Sequence, residues 1–188
     1  MTVADTLKQL KGAMTRCGNL ELARVVGNAE KWAGSSDPSV LLTLAGQGML
    51  EKYRESWEEE CRKSFSGVRY GRSRAASRAS SCTSSSNAEL KKSLPAVLGF
   101  MEGVLRGKQD VLREVFEGTA RQKRSICGDR VQEEEYVKIM VLEDLVDGVR
   151  RAAAVLATPP PKRQWRWSRR IFQGRGKRGG TKRKSLRK

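Results

Sequence analysis

Histidine is absent from all 188 residues. Its absence removes His-based nucleophile triads, Cys–His dyads and His-ligated zinc hydrolases as function classes. The four cysteines, Cys17, Cys61, Cys82 and Cys127, stand at least 21 residues apart, so no CxxC pair exists and the ordinary structural zinc patterns fail on spacing. No apolar run approaches the roughly 18 residues of a membrane-spanning helix. The start MTVADTLKQLKG lacks a long apolar stretch, so no secretory leader is expected. The cysteines are then expected to be plain thiols of a reducing compartment.

Acid is missing in two places. Residues 62–78 hold six basic groups and residues 158–188 hold thirteen, with no Asp or Glu in either stretch. Residues 1–61 carry seven Lys/Arg against nine Asp/Glu, and residues 79–157 carry twelve of each, so the net +17 of the chain is confined to the two acid-free segments. A positive field serving solubility alone would not require such segregation. The pattern points to an anionic partner, either a nucleic acid or an anionic membrane surface.

The remaining segments read as helices. Residues 1–65 predict an N-terminal body of three. Thr2 and Asp5 form a capping-box start, after which Val3, Leu7, Leu10, Met14 and Cys17 recur at helical spacing up to Gly18-Asn19. Leu22, Val25, Val26, Ala29 and Trp32 predict a second helix ending at Gly34. Asp37-Pro38 opens a third, whose stripe runs Leu41, Ala45, Met49, Tyr53, Trp57 and Cys61. Residues 88–157 predict a second body of about three helices. Pro95 either kinks the first of these or starts a fresh one, and the last begins at Asp129 and runs to Thr158. The expected fold is all-α, with two small helical bodies that either dock or stand apart, joined by a disordered Ser/Arg linker and followed by a disordered tail.

Gly99, Gly103 and Gly107 repeat every four residues in the second body. Each interior glycine costs a helix roughly 1 kcal/mol relative to alanine. Three in register predict close helix packing, within the chain or by self-association into a homo-oligomer. The same stretch is no phosphate loop, because Gln109 follows Gly107-Lys108 where Ser or Thr is needed, and Glu102 occupies the first glycine position. The acidic runs Glu58–Glu60 and Glu133–Glu135 read as solvated helix faces rather than metal ligands. No cofactor or metal site is proposed by any spacing, and a non-enzyme is expected.

Residues 66–87, SGVRYGRSRAASRASSCTSSSN, break every period and hold too little apolar area to offset their ordering entropy. This flexible segment presents Arg69, Arg72, Arg74 and Arg78 for nonspecific phosphate contact. Ser77 and Ser81 lie in contexts that suit basophilic kinases, and each phosphate would add about −1.5 to −2 charges. In composition the segment resembles the serine/arginine linkers of coronavirus nucleocapsid proteins, which join two folded bodies and are phosphorylated. The resemblance covers about 22 of the 188 residues.

The tail, residues 158–188, carries the strongest signal. After Pro159-Pro160-Pro161, the basic residues Lys162, Arg163, Arg166, Arg169 and Arg170 surround Trp165, Trp167 and Phe172. Arg175, Lys177, Arg178, Lys182, Arg183 and Lys184 follow among glycines. Guanidinium groups pair phosphates bidentately, while aromatic faces stack on unpaired bases. The expectation is therefore RNA or single-stranded nucleic-acid binding by a self-associating protein, of the compact kind that viruses encode as nucleoproteins or accessory proteins. Alternating Trp and Arg also suit a matrix-like peripheral protein docking on anionic lipid. The Lys/Arg clusters alone would serve a nuclear-import receptor, giving a regulator that shuttles between cytoplasm and nucleus.

Overall fold

A computed structural model describes residues 2–62, 88–121 and 127–157. Among them every regular element is an α-helix: α1 (Val3–Arg16), α2 (Leu20–Ala33), α3 (Val40–Leu44), α4 (Gln47–Arg62), α5 (Ala88–Arg121) and α6 (Arg130–Ala157). The all-α expectation holds there. The Ser/Arg segment and the tail lie outside the described residues.

The first helix starts where the capping box places it. The Asp5 amide donates to Thr2 Oγ1 at 3.1 Å, and the Thr2 amide donates back to Asp5 Oδ2 at 3.1 Å. Gly18 takes φ +71° after α1, a left-handed value that stops the helix cheaply only with glycine. Asn19 then caps α2 by accepting the Leu22 amide at 3.2 Å. Across this hairpin Lys11 pairs with Glu30 at 3.3 Å.

Three sequence expectations are corrected. The single third helix is two, because Ala45 is extended (φ −79°, ψ 125°) and interrupts the stripe, leaving Met49 on the surface. Gly46 lies in the break and Gly48 in the first turn of α4, and their low helix propensity favours a break there over a straight rod. Residues 88–157 form two long helices rather than about three, since α5 continues through Pro95. A helix-interior proline costs about 3 kcal/mol; here burial of Leu90, Leu94, Val97 and Met101 around it opposes that cost. Finally, Cys17 is disulfide-bonded, although Cys61 and Cys127 are free thiols. Spacing alone does not reveal which thiols a fold brings together.

The helices of both segments share one core. Buried Leu7, Leu10, Met14 and Val26 from α1 and α2 belong to the same apolar cluster as Met101, Leu142 and Val149 from α5 and α6. α2 and α6 approach closely at Gly148, where a Cβ would lie 2.2 Å from Val25 Cγ1. Trp57 of α4 is 2% exposed and packs against Phe116 of α5 and Tyr136 of α6 at centroid distances of 5.4 and 5.3 Å. Tyr53 adds a hydroxyl donor to the Asp144 carboxylate of α6. Whether the two segments dock was open from sequence; they pack together.

Candidate functional site

The residues expected to touch phosphates are not among those described. Lys162 through Lys184 of the tail, Arg69, Arg72, Arg74 and Arg78 of the Ser/Arg segment, and Ser77 and Ser81 all lie outside the described residues. Gly99, Gly103 and Gly107 are described.

The bundle itself is not basic. Its described residues include 18 Lys/Arg and 21 Asp/Glu, a net of −3, while the other 20 basic residues of the chain, with no acid among them, lie outside. Many bundle cations are also tied down. Arg150 donates to Glu102 at 2.7 Å across α5 and α6, Arg54 pairs with Glu133 at 3.2 Å, and Arg151 reaches Asp147 at 3.5 Å. Lys108 and Lys138 both donate to Glu135, at 3.3 and 2.7 Å. Burial works against ionising Glu135, yet the hydrogen bond from Lys138 and the charges of Lys108 and Lys138 outweigh it, holding the carboxyl below its ordinary 4.5. Glu133 and Glu135 of the second acidic run thus act as pairing partners for cations, and no group of three potential metal-ligating side chains forms among the described residues.

Cys61, at the end of α4, makes a poor nucleophile. Burial, a hydrogen bond with Cys127 and the nearby Glu58 and Glu60 charges push its thiol up to about 12. A thiol so placed stays protonated at neutral pH.

Among the described residues, nothing packs against the glycine series. Gly99, Gly103 and Gly107 are exposed, and a Cβ at any of them would meet no neighbouring atom within 4 Å. They line the side of α5 opposite Leu94, Met101, Leu105 and Leu112, which face the core. Two large apolar side chains share this outer side, Phe100 at 49% exposure and Val111 at 63%. Phe100 is held by a tilted contact with Trp32 of α2, ring centroids 6.2 Å apart. Beside Gly107 a groove of about 320 Å³ opens between α5 and α6, lined by Val104, Gly107, Lys108, Val111, Leu112, Gln132 and Glu135.

Sequence reasoning gave Phe100 no role. The available signal was angular, since 100° per residue sets Phe100 about 20° from Gly107 and about 100° from Met101. No protein-family model matches the chain, and no curated protein or solved structure shows similarity to it.

Proposed function

We propose that this chain is a non-enzymatic RNA-binding protein of packaging or regulatory type, in which a helical scaffold carries two cationic arms. The observation that supports this reading is the placement of charge: the described helices are net −3, and the 20 remaining basic residues lie in segments without acid. In this reading residues 66–87 and 158–188 are flexible, their composition being too poor in apolar groups to fold alone. The arms neutralise phosphates, Trp165, Trp167 and Phe172 stack on unpaired bases, and the helices self-associate so that the arms are spaced along the strand.

Binding of the full chain to single-stranded RNA across a salt series tests this. With about eight phosphate contacts, log affinity falls against log salt with a slope of about −6. Changing Trp165 and Trp167 together to alanine should weaken single-strand binding by about 10- to 1,000-fold and duplex binding much less. Equal losses on both would remove base stacking from the reading, and salt-independent or absent binding would remove RNA.

The alternation of Trp with Arg over residues 163–170 supports a second reading, a matrix-like protein docked on anionic lipid. There the same double change abolishes binding to anionic vesicles, and RNA responds weakly. A tail that binds neither would be left as an import address.

A further inference from the structure

The outer face of α5 carries charge at both ends and a single exposed cation between them, Arg106, on the flank away from Phe100. Lys92 stands near the N-terminal end, Asp110 and Glu114 stand toward the C-terminal end, and all three are exposed. Between them Ala96, Gly99, Phe100, Gly103 and Gly107 make an uncharged strip, with Arg106 at its edge. Nothing among the described residues accounts for the three glycines, because none of their atoms comes within 4 Å of where the Cβ atoms would be. Each nevertheless costs the helix roughly 1 kcal/mol. Nor does the core account for Phe100, which is half exposed while being held in place by Trp32.

We propose that this face binds a second copy of the chain, α5 against α5 in antiparallel, about a two-fold axis at Gly103. That register makes the ends complementary: Lys92 of one copy stands opposite Glu114 of the other, and by symmetry the pair occurs twice. Gly99 stands opposite Gly107, so the backbones approach most closely where side chains are missing. Phe100 stands opposite Arg106, beside Gly107. Along α5, Val104, Lys108 and Val111 lie on the same flank of the glycine line as Phe100, and a two-fold axis perpendicular to the helices keeps like flanks together. Phe100 of each copy therefore meets the 320 Å³ groove of the other, the one lined by Val104, Gly107, Val111 and Leu112. A parallel pairing would set Lys92 against Lys92 and Glu114 against Glu114, and it would leave both grooves empty.

This assigns a surface to the self-association in the RNA-binding reading, and it is tested without nucleic acid, so either can fail alone. The experiment is sedimentation equilibrium on the full, nuclease-treated chain, with far-UV circular dichroism to confirm that each variant is folded. The wild type is expected to be a dimer in reversible exchange with monomer. Gly103→Leu and Phe100→Glu should each abolish the dimer, and both change exposed positions. Lys92→Glu and Glu114→Lys should each raise the dissociation constant about tenfold or more, and the double variant should recover most of the loss, since it restores opposite charges across the axis. A wild-type monomer at every accessible concentration overturns the proposal. So does a dimer that survives Gly103→Leu and Phe100→Glu, or a double charge variant no tighter than the single ones.

Discussion

Gly148 and Gly103 are both helical glycines, and their surroundings give them opposite roles. A methyl at Gly148 would run into Val25, 2.2 Å from Cγ1 and 3.2 Å from Cβ, so α2 and α6 would have to separate. Gly148→Ala is expected to lower unfolding stability by about 1–3 kcal/mol in a urea titration, overpacking outweighing the helix-propensity gain. Adding Val25→Ala should return part of that loss. Gly103→Ala meets nothing among the described residues, so it should stabilise the dilute monomer by up to about 1 kcal/mol while weakening the α5 pairing. A loss of monomer stability would show that Gly103 packs against part of its own chain. Cys61 offers a separate chemical check. Its thiol is pushed from an ordinary 9.0 to about 12, chiefly by burial, so maleimide should label exposed Cys127 first and Cys61 only slowly near pH 8, with both labelled once the chain is unfolded.

Between elements, α4 is held by Trp57 more than by charge. Trp57→Ala should cost about 3–5 kcal/mol, because it empties the space between Phe116 and Tyr136. The indole Nε1 is buried and has no acceptor among the described residues, so Trp57→Phe should cost far less. Equal losses would mean the N–H is bonded after all. The α5–α6 tie at Glu135 is electrostatic. Its folded carboxyl lies below 4.5, so its stabilisation is complete above that pH and is lost as pH falls through the folded value. Glu135→Gln should therefore reduce the pH dependence of stability below 4.5. Some dependence should persist, because the hydroxyls of Thr2 and Ser39 also hold Asp5 and Asp37 below their ordinary 3.8. Helices with caps and clean stripes, α1 and α2, were legible in the sequence. The α3–α4 break was not, because Ala45 and Met49 kept the four-residue spacing while the backbone between them turned. Pro95 inside α5 was not either, since local cost alone cannot show that the core on both sides outweighs it.

At the scale of the whole molecule, the charge map was legible and the tertiary map was not. Counting acids and bases along the chain isolates the cationic segments without coordinates, because formal charge is a property of composition. The single core shared by α1, α2, α5 and α6 needed the fold, since Val25 and Gly148 are distant in sequence and carry no motif. Phe100's setting needed it too, since the angle that places it beside the glycines says nothing of Trp32, which holds it in place. Joined to the arms, the α5 pairing makes a further prediction. A two-fold dimer holds two tails on one scaffold, so an RNA long enough to meet both is bound once in an intermolecular step and again at the effective concentration set by the first. Phe100→Glu should then lower affinity for such an RNA by about 100-fold or more, while affinity for an oligonucleotide that fits one tail stays unchanged. The salt slope on the long RNA should fall toward half, because half of the phosphate contacts per complex are lost. Removing Trp165 and Trp167 should instead weaken short and long RNA alike. If Phe100→Glu weakened short and long RNA equally, α5 would be touching RNA itself. If it changed neither, the two arms would be acting independently whatever the oligomeric state.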